Sequence, residues 1–107
     1  MINIGYEDLH VEEFKAKMTE PDTVVIDVRD ESEKIEGDIE GNVLINMFSP
    51  DFFDRIQDLD KDKTYLIYCR SGNRSAQTCN LMSRMGFENL YNLNGGIMAW
   101  NFYESHN

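Results

Sequence analysis

The chain has 107 residues with a formal net charge of −10, and 41% of its residues are hydrophobic. This length suits one domain with its own core and is too short for two. The excess of acid disfavours nucleic acid and anionic membranes as general partners. No apolar run approaches the roughly 18 residues of a membrane helix, and the N-terminus lacks the basic and apolar regions of a signal peptide. We therefore expect one domain over residues 1–107, a monomer in a reducing cytoplasm, with neither nucleic-acid nor membrane partners.

Apolar runs and helical patterns alternate along the chain. The predicted strands cover residues 2–4, 23–28, 42–46, 65–68 and 89–93. The predicted helices cover residues 7–18, 31–36, 49–59, a segment that starts at Ser75, and 97–103. In the helix of residues 49–59, Phe52, Phe53, Ile56 and Leu59 are expected to face inward. This alternation predicts an α/β fold with a mainly parallel central sheet and helices on both of its faces.

The stretch Thr64–Ser75, TYLIYCRSGNRS, joins a buried-strand pattern to a turn and the start of a helix. Cys69 therefore falls at the carboxyl end of a parallel strand, where open α/β sheets bind ligands. The backbone N–H groups of the loop and the following helix N-terminus favour an anion. In such surroundings, and beside Arg70 and Arg74, the pKa of a cysteine falls below its ordinary value of about 8.5. We interpret Cys69 as a nucleophile that needs no histidine base.

Other polar residues have plainer interpretations. Asp27 and Arg29 follow another strand and could border the pocket, but an ion pair that ties this loop to a neighbour is favoured. Cys79 fits core packing better than the role of a resolving thiol. It is also expected to lie too far from Cys69 for a disulfide. The acidic segment of residues 30–36 fits a solvated helix face.

The sequence YCRSGNRS, residues 68–75, closely resembles the active-site loop of the rhodanese (thiosulfate sulfurtransferase) family in its single-domain form. Four further segments resemble motifs of that family in chain order: VVIDVR at 24–29, EGDIEGN at 36–42, GFENL at 86–90 and LNGGIMAW at 93–100. The resemblance thus runs from about residue 24 to residue 100. It departs at Asp38 and Glu40, where the family often has His and Pro. We expect Asp38 to lie outside the catalytic core and to weaken anion attraction or change which partner docks.

This resemblance implies a rhodanese-like domain that transfers sulfane sulfur from a donor such as thiosulfate through a persulfide on Cys69. The acceptor would be cyanide in an assay, and a thiol or protein cysteine in the cell. The implied partners are a small anionic sulfur donor and a protein donor or acceptor. No metal or organic cofactor is implied. The predicted substrate-binding residues are Arg70, Ser71, Gly72, Asn73, Arg74 and Ser75.

Two alternatives remain open from the sequence. The domain could be a sulfur carrier or docking module that relays persulfide between partner proteins, with its acidic surface facing them. It could also be a cysteine phosphatase, but that chemistry uses Cys-x5-Arg, whereas Cys69 and Arg74 have the spacing Cys-x4-Arg. Within the family that the sequence resembles, the shorter loop accompanies sulfur transfer.

Overall fold

The computed structural model describes residues 5–106, so the predicted strand at residues 2–4 lies outside the described residues. In chain order the elements are β1 (Glu7–Leu9), α1 (Val11–Met18), β2 (Thr23–Asp27), a 3₁₀ helix (Glu31–Glu36), β3 (Val43–Leu44), α2 (Phe52–Gln57), β4 (Thr64–Tyr68), α3 (Asn73–Arg84), β5 (Asn89–Leu93) and α4 (Gly96–His106). Within residues 5–106, no helix is long and apolar enough to cross a membrane.

The strands form one parallel five-stranded sheet with the order β1-β5-β4-β2-β3. The predicted α/β fold with a parallel sheet is therefore confirmed. β4 is the central strand, between β5 and β2, and its carboxyl end leads directly into the loop that starts at Cys69. Because the strands are parallel, their carboxyl ends share one edge of the sheet, and the loops that follow them gather there.

Side chains of β4 and of Cys69, which follows it, alternate between two apolar clusters, one on each face of the sheet. Tyr65, Ile67 and Cys69 belong to the cluster covered by α2 and α3, whereas Leu66 and Tyr68 belong to the cluster covered by α1 and α4. All five side chains are at most 1% exposed, as expected for a central strand that is buried on both faces. The prediction of helices on both faces is confirmed.

The prediction of a helix over residues 7–18 is wrong at its start. Residues 7–9 form β1, which pairs with β5 in the register Glu7↔Tyr91 and Leu9↔Leu93. α1 begins only at Val11. A three-residue edge strand is too short to show a period of its own, and the long-range pairing with β5 overrides the helical pattern.

Other boundaries also differ from the predictions; α4, for example, covers Gly96–His106 and not 97–103. The third strand shrinks to Val43–Leu44 and the following helix to Phe52–Gln57. Phe52 and Ile56 face inward as predicted, but Phe53 is half-exposed on the outer side of α2. α3 begins at Asn73, two residues before the predicted Ser75, because the loop turns into the helix immediately after Gly72.

Candidate active site

Cys69 lies at the carboxyl end of the central strand and is only 1% exposed. Its Sγ accepts a hydrogen bond from the backbone N–H of Gly72 at 3.1 Å and another from Ser75 Oγ at 3.3 Å. Gly72 makes this possible because its φ of 106° lies in a region that favours glycine. The loop therefore curls so that its donors point at the sulfur from the side of the α3 N-terminus.

The pKa of Cys69 is set by two opposed effects. Burial of the thiol raises the pKa, because a thiolate loses hydration in the protein interior. Hydrogen bonds from Ser75 Oγ and from the backbone N–H groups of Ser75, Gly72 and Ser71 lower it. The hydrogen bonds prevail, so that the pKa of Cys69 lies below its ordinary value and the reactive thiolate is favoured.

Replacing Ser75 by alanine should raise the pKa of Cys69, because the thiolate loses the hydrogen bond from Ser75 Oγ while the backbone N–H donors remain. The midpoint of the pH profile for alkylation of Cys69 by iodoacetamide should move to higher pH, with a severalfold lower rate at neutral pH. Ser71→Ala is the matched control, since Ser71 acts on the sulfur through its backbone N–H alone. Equal profiles for wild type and Ser75→Ala would contradict this role of the hydroxyl.

Both arginines of the loop are held by carboxylates of the 3₁₀ helix. Arg74 donates from Nη1 and Nη2 to the two carboxylate oxygens of Glu33, at 2.8 and 2.7 Å. Arg70 Nε donates to Glu36 Oε1 at 3.1 Å. The hydrogen bonds from Arg74 are the main cause that lowers the pKa of Glu33 to about 2. The interpretation of residues 30–36 as a purely solvated face is therefore wrong for Glu33 and Glu36.

The 3₁₀ helix is itself anchored by the ion pair of Asp27 and Arg29, which are both 0% exposed. Arg29 donates to the two carboxylate oxygens of Asp27 at 2.9 and 2.8 Å. The remaining donors of the guanidinium reach the backbone carbonyls of Glu33 and Gly37 at 3.1 and 2.9 Å. The favoured interpretation of Asp27 and Arg29 as an ion pair that ties the loop to its surroundings is confirmed. A buried pair of this kind needs such additional hydrogen bonds to offset its desolvation.

Asn92 of β5 supports the loop from behind, and its role was missed by the sequence analysis. Its Nδ2 donates to Asp8 Oδ1 at 2.9 Å and to the Gly72 carbonyl at 3.2 Å. Since both neighbours are acceptors, only the NH₂ end of the amide can satisfy them. Asn92 thereby fixes the carbonyl of Gly72, the residue whose own N–H donates to Cys69. A buried asparagine within an apolar strand pattern was the only signal in the sequence.

α4 closes the loop on the opposite side through its first turn. The backbone N–H groups of Ile97 and Met98 donate to the carbonyls of Cys69 and Arg70, at 2.9 and 3.2 Å. Gly96 has a φ of 60°, and a Cβ there would lie 2.3 Å from the Arg70 carbonyl oxygen. A Gly95-Gly96 pair between a strand and a helix is the sequence signal for this contact, although by itself it indicates only a turn.

The two remaining residues singled out in the sequence lie outside the loop. Asp38 is bound by Lys34 Nζ at 2.9 Å and also receives hydrogen bonds from Asn42 and Tyr68. Its charge is therefore partnered by Lys34, whereas the donors to Cys69 Sγ are Gly72 and Ser75. Cys79 is a free, fully buried thiol of α3, and burial raises its pKa well above the ordinary value. The core-packing interpretation of Cys79 is confirmed.

The predicted loop residues thus divide into two groups. Gly72 and Ser75 are buried against the sulfur, whereas Arg70, Ser71 and Asn73 are exposed at the mouth and Arg74 is partly buried beneath Glu33. A cysteine whose thiolate is stabilised by loop amides at the carboxyl edge of a parallel sheet defines a class of enzymes with a thiolate nucleophile and an anion-binding loop.

Comparison with known proteins places the chain within that class. A Rhodanese-like domain model matches residues 10–102. The chain is 43% identical over 76 residues to YtwF of Bacillus subtilis, a candidate sulfurtransferase, with 71% of each chain covered. It is 35% identical over 79 residues to a sulfurtransferase of Allochromatium vinosum, with 74% of this chain and 72% of that protein covered.

Solved structures agree with the sequence comparison. The crystal structure of a rhodanese-related protein from Thermoplasma volcanium superposes with a TM-score of 0.78 at 26% identity, covering 92% of this chain and 93% of that one. The chain belongs to the rhodanese-like family. Its sulfurtransferase-named relatives support a transferase of that family.

Proposed function

We propose that this protein is a sulfurtransferase that carries a sulfane sulfur on Cys69, with thiosulfate as one donor. The observation that carries the proposal is the cradle around Sγ, in which Gly72 N–H and Ser75 Oγ donate to the sulfur at 3.1 and 3.3 Å. A cradle that stabilises a thiolate also stabilises the negative charge of a persulfide, since both are sulfur anions at the same strand end.

Sulfur transfer would proceed in two half-reactions. The Cys69 thiolate attacks the outer sulfur of thiosulfate; a new S–S bond forms, the original S–S bond breaks, and sulfite leaves with the electron pair. A thiophilic acceptor then attacks the outer sulfur of the Cys69 persulfide and regenerates the thiolate. Cyanide would leave as thiocyanate, and a thiolate acceptor would become a persulfide. Because one nucleophile serves both half-reactions, ping-pong kinetics are expected.

The loop supplies the binding contacts in this scheme. Backbone N–H groups of the loop face the reacting sulfur, and the exposed residues at the mouth contact the rest of the donor. The proposed substrate-binding residues are Arg70, Ser71, Gly72, Asn73, Arg74 and Ser75. The first half-reaction does not require a proton donor, since sulfite is a stable leaving anion. No metal or organic cofactor enters the scheme.

One feature favours this chemistry over phosphate-ester hydrolysis. The spacing Cys69-x4-Arg74 makes a ring of amides one residue smaller than that of Cys-x5-Arg enzymes. Arg74 also donates from Nη1 and Nη2 to Glu33, which leaves less of its guanidinium for any small dianion, whether phosphate or thiosulfate. The same contact favours a second candidate function, a persulfide relay between proteins, because a site with less free positive charge depends less on a small dianionic donor.

The test is the intact mass of the protein after incubation with thiosulfate in the absence of reductant. The wild type should gain the mass of one sulfur atom, and subsequent cyanide should remove it and release one equivalent of thiocyanate. Cys79→Ser is the matched control and should gain the same mass, because Cys79 is buried in the core. A mass gain that persists in Cys69→Ser, or is lost in Cys79→Ser, would contradict the assignment of Cys69.

A further inference from the structure

The four most exposed large apolar side chains among residues 5–106 belong to the 3₁₀ helix, to the segment after β3 and to the first part of α4. Ile35 is 92% exposed, Phe48 73%, Phe102 66% and Met98 51%. We call these four side chains the apolar collar. Exposed apolar residues scattered singly are ordinary on protein surfaces, whereas grouped ones indicate an interaction site. The collar is therefore significant only if its four members lie close together on the surface.

Hydrogen bonds place the collar on three segments that meet at the 3₁₀ helix. Ile35 belongs to this helix, and its neighbour Glu36 binds Arg70 of the loop. Phe48 lies in the segment after β3, where Asn46 accepts from the Phe48 N–H and donates to Asp30, the residue that caps the 3₁₀ helix. The 3₁₀ helix is thus linked through Glu36 to the Cys69 loop and through Asp30 to the segment that carries Phe48.

The third segment is the first part of α4. Met98 donates its backbone N–H to the Arg70 carbonyl, so it borders the loop directly. Phe102 follows one helical turn later on the same face. Asn101 Nδ2 donates to the Glu36 carbonyl at 2.7 Å, which ties this face of α4 to the end of the 3₁₀ helix. The collar is therefore grouped around the opening that leads to Cys69.

Charge at this opening is negative. Residues 30–40 contain six carboxylates and one lysine. The nearest cations, Arg70 and Arg74, are already paired with Glu36 and Glu33. Each of these guanidinium groups faces a carboxylate, so a small anion gains less from them than from unpaired arginines, whereas a basic surface gains from the field.

We propose that the physiological sulfur partner of Cys69 is a basic protein whose cysteine lies on an apolar segment, and that this segment docks on the apolar collar. The proposal deepens the proposed function and rests on it. A single sulfur atom needs only the cradle of loop amides, whereas the collar extends to α4 and to the segment after β3. A second copy of this chain, with its charge of −10, would be repelled by the same field.

The chemistry at such an interface balances with the partner as acceptor. The partner's cysteine thiolate attacks the outer sulfur of the Cys69 persulfide. A new S–S bond forms on the partner, the bond to Cys69 breaks, and the Cys69 thiolate leaves with the electron pair. The partner thereby carries the persulfide away, and the cradle stabilises the thiolate that remains.

The test measures discharge of the Cys69 persulfide by designed cysteine peptides of equal length. The full-length protein is loaded with inorganic polysulfide and freed of excess reagent. One peptide has a cysteine among leucines with flanking lysines; a second has glutamates in place of the lysines; a third has serines in place of the leucines. The first should accept sulfur at least ~10-fold faster than the second, with an advantage that shrinks as salt is added. The first peptide should also accept sulfur severalfold faster than the third.

Variants locate the docking surface. Ile35→Ser and Phe48→Ser should slow discharge to the first peptide severalfold and leave discharge to cyanide unchanged. Phe53→Ser is the matched control, because Phe53 is a half-exposed aromatic residue of α2 outside the collar. Equal rates for the three peptides, faster discharge to the acidic peptide, or equal effects of collar and control variants would overturn the docking proposal. Failure to load Cys69, or to discharge it to cyanide, would overturn the proposed function itself.

Discussion

Replacing Cys69 by serine should abolish sulfur transfer while the domain stays folded. Serine keeps the size of the residue, and its hydroxyl oxygen can accept the hydrogen bonds that Gly72 and Ser75 now donate to the sulfur. It cannot form a persulfide, and an alcohol is not ionised at neutral pH. Thiosulfate:cyanide transfer should therefore fall by at least ~10³-fold, the scale on which loss of a catalytic nucleophile acts.

The measurement is the steady-state rate of thiocyanate formation, together with urea denaturation of both proteins. We expect the midpoint of unfolding to change little, so that the loss of activity reflects chemistry and not folding. Residual activity within tenfold of the wild type would contradict the role of Cys69 as the nucleophile. Initial-rate lines of the wild type that intersect, instead of running parallel, would contradict the persulfide intermediate.

Replacing Gly96 by alanine should lower the free energy of unfolding more than the addition of a methyl group at any other residue of the site. Gly96 has a φ of 60°, and its new Cβ would lie 2.3 Å from the Arg70 oxygen and 2.6 Å from the Cys69 oxygen. Both contacts are to backbone, so a side-chain rotation cannot relieve them. The left-handed conformation alone costs about 1 kcal/mol. With displacement of the loop, the loss in the free energy of unfolding should reach roughly 2–4 kcal/mol.

Gly41→Ala is the matched control for this substitution. Gly41 has a φ of 85°, but nothing lies within 4 Å of the position of its Cβ. It therefore reports the cost of the conformation without the steric clash, and should lose only about 1 kcal/mol. Gly96→Ala should also slow alkylation of Cys69, because α4 holds the carbonyl of that residue through Ile97. Equal losses of stability in the two variants would show that the loop absorbs the methyl group without strain.

The amino-acid sequence was sufficient to predict the class of fold and to identify the reactive loop. Apolar runs such as residues 65–68 are local, and a central parallel strand needs little more than such a run between helical patterns. The Cys69 loop is also local, because six consecutive residues form its ring of amides and the spacing to Arg74 can be counted directly. The ion pair of Asp27 and Arg29 was foreseen for the same reason, since only one residue lies between the partners.

The surroundings of that loop depend on contacts between residues that are distant in the sequence. Glu33 meets Arg74 across 41 residues of sequence, and Glu36 meets Arg70 across 34. No local pattern distinguishes a glutamate that binds an arginine from one that faces water. The strand Glu7–Leu9 likewise exists because β5 lies beside it, against a helical pattern in the sequence.

The support of the nucleophile depends on equally distant residues. Asn92 contacts the loop through its side-chain amide and Gly96 through a bare Cα, and neither residue type by itself indicates such a contact. The chemistry of a side chain follows from its residue type, so the sequence reveals the nucleophile. The geometry and net charge around it arise from contacts between segments that the chain brings together only when the parallel sheet has formed.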